Sequence, residues 1–345
     1  MPRAVPGRRA ARMIMVMLAV AAVLTALTSV PASAAPAFSS TCGNSGSARP
    51  VKHVILVMVE NKSYDQIIGS KDAPYQNGLA KSCGLATNYF GLTHSSSANY
   101  LGLSAGKYPA QSPRGCGSVA KCTDPVDNLY HQLAQAGDTW AGFMEGMPSN
   151  CDRRSVPNVY KIGHDPMLFY PDDQVSCPAD DVHLSSLTAR SGPFYADLQN
   201  PAKLPSFTWV TPDESHDGEL GTSATQQMRA IDTFLSTLVP LITSSASYQA
   251  GNTLLLITYD EGSGPGYKIG EDCIALKNAS CHVPLFVVYP CTKAGAANGL
   301  FFDHYSITKT VENLFHLSLL GHASDSGTRS LVNEFGIPAP SAQRG

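Results

Sequence analysis

The sequence lacks the marks of several protein classes. After the N-terminal segment it has no basic cluster, and its net charge of −3 gives no indication of nucleic-acid binding. No segment after residue 34 is long and apolar enough to cross a bilayer. None of its cysteines shows the C-x-x-C spacing of a zinc site. What remains is a chain of 345 residues with an ordinary globular composition, 43% hydrophobic and 15% charged.

The first residues have the pattern of a signal peptide. Basic residues precede an apolar run from Met13 to Leu27, and Ala32-Ser33-Ala34 supplies a small-x-small cleavage signal. We expect cleavage after Ala34 and a secreted, extracellular protein with no membrane span in the mature chain. The alternative is an uncleaved anchor, since the apolar run is near the short limit for a span. The predicted organisation is a signal peptide at 1–34, a lead-in at 35–50 and a single domain at 51–345.

The cysteines fit an exported protein. The chain has 9 of them, and in an oxidising compartment most are expected to form disulfides. Sequence neighbours that could close small loops are Cys116 with Cys122, Cys151 with Cys177, and Cys273 with Cys281. The odd number leaves at least one free thiol or an intermolecular bond.

A short apolar run with a polar exit stands near the start of the predicted domain. Val54–Val59 is rich in β-branched residues and is typical of a buried parallel strand. Glu60 and Asn61 follow it directly. Open α/β sheets bind ligands just beyond the carboxyl ends of their strands, so this pair is a candidate set of oxygen ligands for a divalent cation. The alternative is an ordinary solvated turn.

Strands and helices alternate along the chain. Further buried strands are predicted at Thr139–Met144, Phe207–Val210, Thr253–Thr258 and from His282, and helices at Tyr100–Ala105, Val126–Ala136, Thr225–Leu241 and Ser306–Leu319. This alternation predicts an α/β fold, a three-layer sandwich with a mostly parallel central sheet. Residues 147–190 show no clean period, and we expect a disulfide-tied excursion that covers the site.

Polar clusters recur at predicted strand exits and helix starts. Ser95–Ser97 enter a tight turn before a helix, where backbone N–H groups can receive a phosphate, although three serines also suit a simple helix cap. Strand exits converge on one edge of an α/β sheet, and metal-assisted phosphoryl transfer needs a nucleophile, oxygen ligands and imidazoles there. The remaining members are His216-Asp217 and Asp260-Glu261 after strands and His304 before the last helix.

An ordered set of motifs resembles one known family. The motifs are H-V-I-L-V-M-V-E-N-K-S-Y-D, N-Y-F-G-L-T-H-S-S-S-A-N-Y-L-G-L-S-A-G, M-E-G-M-P, H-D-P, T-Y-D-E-G and H-Y-S-I-T-K-T-V-E-N. They are similar to those of the phosphoesterase family of bacterial acid phosphatases and phospholipases C, which is similar in fold to alkaline phosphatase. The resemblance runs from about Val51 to Leu319, nearly the whole predicted mature chain.

The resemblance implies roles for individual residues. The family's nucleophile lies three residues before an asparagine, which selects Ser96 here and implies a phosphate contact for Asn99. The family turn usually carries a proline where this chain has Ala98, so Ser95 and Ser97 stay open as alternatives. The family often has another histidine shortly after His216, where this chain continues Gly-Glu-Leu, so a second metal is not implied. The implied metal ligands are Glu60, Asn61, Asp260 and Glu261, and the implied imidazoles around the phosphate are His164, His216 and His304.

The residue chemistry favours one hard cation. Four oxygen-bearing side chains without cysteine suit Mg, Ca or Mn better than zinc. Histidines that are cationic near pH 6 would clamp phosphate oxygens or protonate the leaving group, which suits activity on the acid side of neutral. A metal-free secreted serine hydrolase is the alternative mechanism.

We expect a secreted metal-dependent phosphomonoesterase, an acid phosphatase that works through a phosphoserine intermediate. Its substrate would be a phosphate ester, and no protein or nucleic-acid partner is evident. The first alternative is a phosphodiesterase of the phospholipase C type, which in this family is usually a much longer chain. The second is a catalytically dead binding protein, which would be expected to lack metal ligands.

Overall fold

The computed structural model describes residue 1, residue 42, residues 49–290 and residues 292–341. The predicted signal peptide and most of the predicted lead-in therefore lie outside the described residues, as does Cys291. Among the described residues, no helix combines the length and the apolar character needed to span a bilayer.

One large sheet forms the centre of the domain. Its strands are β1 His53–Val59, β2 Gly84–Phe90, β3 Trp140–Met144, β4 Asp181–His183, β5 Phe207–Thr211, β6 Thr253–Tyr259, β7 His282–Val288, β8 Ala297–Asn298 and β9 Phe302–Asp303. The strand order is β4-β3-β5-β1-β6-β7-β2-β8, and β9 also pairs with β2. Only β7 runs antiparallel to its neighbours, β6 and β2. The predicted α/β fold with a mostly parallel sheet is thus confirmed.

Helices pack on this sheet in two groups. The α-helices are α1 Tyr64–Ile67, α2 Pro74–Ser82, α3 Ser96–Ala105, α4 Val119–Cys122, α5 Leu129–Gln135, α6 Cys177–Asp180, α7 Pro193–Leu198, α8 Ala224–Thr243, α9 Ala246–Gln249, α10 Cys273–Leu276, α11 His304–Phe315 and α12 Leu331–Glu334. In one group α2 packs on α8, and in the other α3 packs on α11 and α5. This is the sandwich that the alternating sequence predicts.

The register of the central strands brings two acidic residues side by side. Every residue of β1 and β6 is buried, as the apolar runs predict. The two strands are parallel and in step, with Val59 opposite Tyr259. Glu60 and Asp260, the residues that follow this pair, are therefore neighbours, and Asp260 N donates to Val59 O at 3.0 Å. Glu60 and Asp260 consequently leave the sheet together at its carboxyl edge.

Helix α3 starts close to this edge. The chain leaves β2 through Gly91, where an added Cβ would lie 2.8 Å from the Asp260 carbonyl oxygen. A glycine is needed at this close approach. Residues 97–105 of α3 are buried, and Thr308 Oγ1 of α11 donates to Leu103 O at 2.6 Å. These contacts fix the first turn of α3 beside the ends of β1 and β6.

Disulfides connect the segments around the sheet. The predicted local pairs Cys116–Cys122, Cys151–Cys177 and Cys273–Cys281 are all present. A fourth pair, Cys42–Cys83, joins residues 41 apart in sequence and was not predicted. The excursion at 147–190 also contributes a strand to the sheet, because its residues Asp181–His183 form the edge strand β4.

Candidate functional site

Ser96 is the first residue of α3, and its hydroxyl contacts the acid at the end of β1. Ser96 Oγ donates to Glu60 Oε2 at 2.8 Å, and Tyr100 OH donates to Glu60 Oε1 at 2.7 Å. Ser96 and Tyr100 are one helical turn apart, so both side chains lie on the same face of α3. The Glu60 side chain is fully buried between them. Burial is the largest influence on the pKa of Asp260 and raises it, whereas the nearby Ser96 hydroxyl acts to lower it.

Asn61 turns its amide back toward the same carboxylates. Its φ of 37° lies in the left-handed region, which asparagine tolerates better than most residues. Asn61 N donates to Asp260 Oδ1 at 3.3 Å. The amide tip lies 3.2 Å from Glu60 Oε2 and 3.0 Å from Asp260 Oδ1. With its NH2 group turned toward them, Asn61 donates to both carboxylates, and with its oxygen turned toward them, it can share a cation with them.

The acids at this edge are not balanced by bases. Asp260 Oδ2 and Asp217 Oδ2 are buried and accept no hydrogen bond. Burial, followed by the neighbouring charge of Asp260, raises the pKa of Glu60 well above its usual range. Burial and the neighbouring Glu261 raise the pKa of Asp260 in the same way. Lys62 lies nearby, but its Nζ donates to the carbonyl oxygens of Asn61 and Gly218 at 3.0 and 2.9 Å. The donor set therefore fits a divalent cation, and Asp217 belongs to this acidic group.

Glu261 makes a different set of contacts from the other predicted ligands. Its Oε2 lies 3.2 Å from His94 Nδ1, and Tyr267 OH donates to its Oε1 at 3.3 Å. Burial raises the pKa of Glu261, and the nearby main chain of Ser95 acts to lower it. Glu261 is therefore held against the residue that immediately precedes the candidate nucleophile.

Of the predicted imidazoles, His164 is the one that lies beside Glu60. It comes from a single 3₁₀ turn, Ile162–His164, and its ring stacks on Tyr100 with centroids 5.3 Å apart. Its Nδ1 lies 3.5 Å from Glu60 Oε1 and 3.9 Å from Asp217 Oδ2. Burial, with a smaller effect of Lys161, lowers the pKa of His164 to about 3. A neutral imidazole at this place does not match the expectation of a histidine that is cationic near pH 6.

The other two predicted imidazoles contact different groups. His216 Nδ1 lies 2.9 Å from Glu145 Oε2, and its ring stacks on Phe234. The hydrogen bond to Glu145 raises the pKa of His216. His304 is buried, with its Nε2 2.5 Å from the Asp260 carbonyl oxygen and its Nδ1 2.6 Å from Tyr89 OH. Burial lowers the pKa of His304 to about 4. The described contacts of His304 thus hold the main chain at the end of β6.

Asn99 shapes the serine turn. Its Oδ1 accepts from Leu92 N at 2.7 Å, and its Nδ2 donates to Thr93 O at 2.8 Å and Ser95 O at 3.3 Å. The side chain is fully buried. Its amide is therefore engaged with the main chain, and the implied phosphate contact of Asn99 stays a prediction.

A cleft of about 250 Å³ opens above the three serines. Ser95, Ser96 and Ser97 line one wall, and Lys161, Gly163, His164 and Glu219 are among the residues that line the rest. Burial acts to lower the pKa of Lys161, but the hydrogen bond and charge of Glu219, together with Glu214, outweigh it and raise the pKa. Lys161 is therefore a cation at the cleft wall, and sequence analysis had no signal for it because it lies in an irregular segment.

A string of the form G-x-S-x-G occurs at residues 102–106, inside α3. Such a string marks a serine hydrolase only when the serine stands on a turn between a strand and a helix. Ser104 is instead buried in the helix, where its Oγ donates to Tyr100 O at 2.9 Å. This site therefore gives no support to the metal-free serine hydrolase alternative.

Known proteins are similar to most of this chain. Residues 70–318 match the Phosphoesterase family. The chain belongs to the Phosphoesterase family. It is 29% identical over 296 residues to a phosphatidylinositol-3-phosphatase of Mycobacterium tuberculosis, covering 82% of this chain and 84% of the relative. It is 27% identical over 289 residues to a probable acid phosphatase of Kluyveromyces lactis, covering 81% of this chain and 62% of that protein.

Solved structures show the same fold. A protein of the alkaline phosphatase superfamily from Vibrio parahaemolyticus superimposes with a TM-score of 0.57 at 11% identity, covering 83% of this chain and 71% of that one. This phosphoesterase-family chain therefore has the alkaline phosphatase-like fold. Its family and its named relatives make it a hydrolase of phosphoric ester bonds.

Proposed function

We propose that the protein is a metal-dependent phosphomonoesterase in which Ser96 is the nucleophile. The observation that carries the proposal is the Ser96 hydroxyl at the start of α3, 2.8 Å from Glu60 Oε2 and open to the cleft. The N-terminus of this ten-residue helix favours the negative charge of a phosphoryl group. The names of the fungal and mycobacterial relatives support action on phosphate monoesters.

The residues that would hold a divalent cation are Glu60, Asn61, Asp260 and Ser96, with Glu261 beside them. Their fit rests on the convergence of the Glu60, Asn61 and Asp260 side chains and on the unpartnered Asp260 Oδ2. Only oxygen donors take part, which suits Mg, Ca or Mn. When bound, such an ion supplies positive charge that favours ionisation of the serine and offsets charge on the phosphoryl oxygens.

In the first step Ser96 Oγ attacks the phosphorus atom of the ester. The hydroxyl proton is directed at Glu60 Oε2, which is placed to accept it. An Oγ–P bond forms, the bond from phosphorus to the leaving oxygen breaks, and the proton that Glu60 took from Ser96 passes to the leaving oxygen, so that the alcohol departs neutral. Lys161 lines the same cleft and supplies a fixed positive charge for the phosphoryl oxygens.

In the second step water attacks the phosphoserine. The bond from phosphorus to Ser96 Oγ breaks, one proton of the water passes to Ser96 Oγ and the other leaves with inorganic phosphate, and the enzyme is restored. Tyr100 keeps Glu60 in place throughout, because its hydroxyl donates to the carboxylate oxygen that does not face Ser96. Stacking of His164 on Tyr100 holds both rings against this pair.

Export of the chain is the second part of the proposal. We infer that residues 1–34 are a signal peptide and that the enzyme acts outside the cell as the domain from residue 51 onward. The four disulfides among the described residues support this, since such bonds persist in oxidising compartments.

The test is an activity profile of the purified chain lacking residues 1–34. A chromogenic phosphate monoester, phosphatidylinositol 3-phosphate, a chromogenic diester and phosphatidylcholine are assayed with chelator, and then after Mg²⁺, Ca²⁺ or Mn²⁺ is restored. We expect turnover of monoesters only, lost with chelator and regained with one of the ions. Faster turnover of the diester or phosphatidylcholine would favour the phospholipase C alternative, and full activity in chelator would contradict the role of the metal.

A further inference from the structure

His94 is a buried histidine that the proposed reaction does not use. It stands two residues before Ser96 and its side chain is fully buried. Its Nδ1 lies 3.2 Å from Glu261 Oε2. On the other side of the ring, Nε2 lies 2.9 Å from Glu271 Oε1 and 3.0 Å from Ser280 Oγ. Both ring nitrogens are thus engaged, one of them with the acidic pair at the end of β6.

The partners of Nε2 come from the segment between β6 and β7. This segment is closed by the disulfide Cys273–Cys281, and its main chain is tied to the serine turn. Gly270 N donates to His94 O at 2.9 Å, and Cys273 N donates to Leu92 O at 3.0 Å. The ring itself lies 4.1 Å from the ring of Tyr267, measured between centroids. His94 is therefore fixed from the main chain, from the ring face and from Nε2.

The hydrogen-bond directions around Nε2 are set by the neighbouring groups. Ser280 Oγ donates to Asn278 Oδ1 at 2.9 Å, so its oxygen is left to accept. Glu271 can accept as well. Nε2 therefore carries a hydrogen, and the bond between Nδ1 and Glu261 Oε2 needs a second hydrogen, carried by one of these two groups. The orientation of the ring, with Nδ1 toward Glu261, is determined by groups outside the cleft.

We propose that His94 is a positioning residue that holds the Glu261 carboxylate in place for the cation and couples it to the serine turn. This inference rests on the proposed function, in which Glu261 takes part in cation binding. A carboxylate that is buried beside a metal needs a partner for the oxygen that does not face the ion, and groups that orient ligands in this way contribute roughly 10- to 100-fold to metal affinity. His94 and Tyr267 are the side-chain partners that the described structure gives to Glu261.

A purely structural histidine would behave differently. Its loss would lower the melting temperature of the metal-free protein and leave the affinity of the folded protein for the ion unchanged. The metal dissociation constant therefore separates the two roles, and it does not depend on turnover.

The experiment measures Mn²⁺ binding by calorimetry on the chain lacking residues 1–34, in the parent, His94→Gln and Glu271→Gln. His322→Gln is the matched control, because His322 pairs with Asp325 at 2.9 Å on the exposed surface. We expect a dissociation constant about 10- to 100-fold higher for His94→Gln. Glu271→Gln alters only the partner of His94 Nε2 and should raise the dissociation constant by a smaller factor. His322→Gln should match the parent.

Two outcomes overturn the inference, and they differ in what else they contradict. If the parent binds Mn²⁺ and both His94→Gln and Glu271→Gln bind within twofold of it, His94 has no positioning role, while the proposed function stands. If the parent itself binds no Mn²⁺, the metal site of the proposed function fails together with the inference. Should His94→Gln not fold, Glu271→Gln decides: an unchanged dissociation constant refutes the coupling and a raised one supports it.

Discussion

A pair of buried aspartates within the excursion at 147–190 gives a quantitative prediction for stability. Asp165 and Asp181 are both fully buried, and their carboxyl groups lie within hydrogen-bonding reach of each other. Tyr160 OH donates to Asp165 Oδ2 at 2.6 Å, whereas the Oδ1 atom of each aspartate accepts from no donor group. One proton shared between the two carboxyl groups would satisfy both free oxygens.

The size of the effect follows from the shift in pKa. Burial raises the pKa of Asp165 from 3.8 to about 7. Because the folded pKa lies above the unfolded one, the contribution to stability is fully present below about pH 4 and is lost as the pH rises to about 7. Each unit corresponds to 1.36 kcal/mol, so the contribution is at most about 4 kcal/mol. Asp165→Asn removes this titration while keeping a group that can donate to Asp181.

The assay is urea unfolding of the parent and of Asp165→Asn at several values between pH 4 and pH 7. We expect the free energy of unfolding of the parent to fall across this range by up to about 4 kcal/mol more than that of the variant. Asp172→Asn, an exposed aspartate of the same excursion, is the control and should follow the parent. Parallel curves for the parent and Asp165→Asn would refute the raised pKa of Asp165.

Three further predictions concern the site and the end of α3. Tyr100→Phe removes a donor to Glu60 and should lower kcat about 10-fold with little change in melting temperature, measured by steady-state kinetics and calorimetry. Lys161→Met removes a cation at the cleft wall and should raise KM for the monoester more than it lowers kcat. Gly106→Ala should destabilise the fold by about 1–3 kcal/mol in urea unfolding, because φ is +68° and the new Cβ would lie 2.3 Å from Leu320 O.

The central strands were predictable because their signal is local. Val54–Val59 and Thr253–Thr258 are runs that only a strand buried on both faces explains, and the structure extends them to His53–Val59 and Thr253–Tyr259. The edge strand Asp181–His183 was not predicted. Its three residues carry no periodic pattern, and it forms only because the neighbouring strand β3 offers a free edge to the excursion.

Helix boundaries were predicted less well than strands. The predicted helix Tyr100–Ala105 begins at Ser96 in the structure, so the candidate nucleophile is a helix residue rather than a turn residue. The last long helix ends at Phe315, and His316 adopts a left-handed φ of 57°. The sequence immediately around residue 316 contains no glycine or proline, the residues that usually signal the end of a helix.

The acidic part of the site could be predicted because it follows strand ends, whereas the individual contacts of the histidines could not be assigned from sequence. His164, His216 and His304 look alike in sequence, but only tertiary packing decides that the first stacks on Tyr100, the second pairs with Glu145 and the third contacts the Asp260 main chain. Their protonation also depends on burial, which motifs do not report. The disulfide Cys42–Cys83 was missed for a similar reason, since its cysteines approach only in the folded chain.

The most direct test of the central claim is to trap the phosphoserine. The parent, Ser96→Ala, Ser95→Ala and Ser97→Ala are mixed with a radiolabelled phosphate monoester and the divalent ion, quenched in acid within one turnover, and digested for peptide mapping. We predict label on the peptide containing Ser96 in the parent and in the Ser95 and Ser97 variants, and neither label nor turnover above about a thousandth of the parent rate in Ser96→Ala. Parent-like turnover by Ser96→Ala would contradict the account.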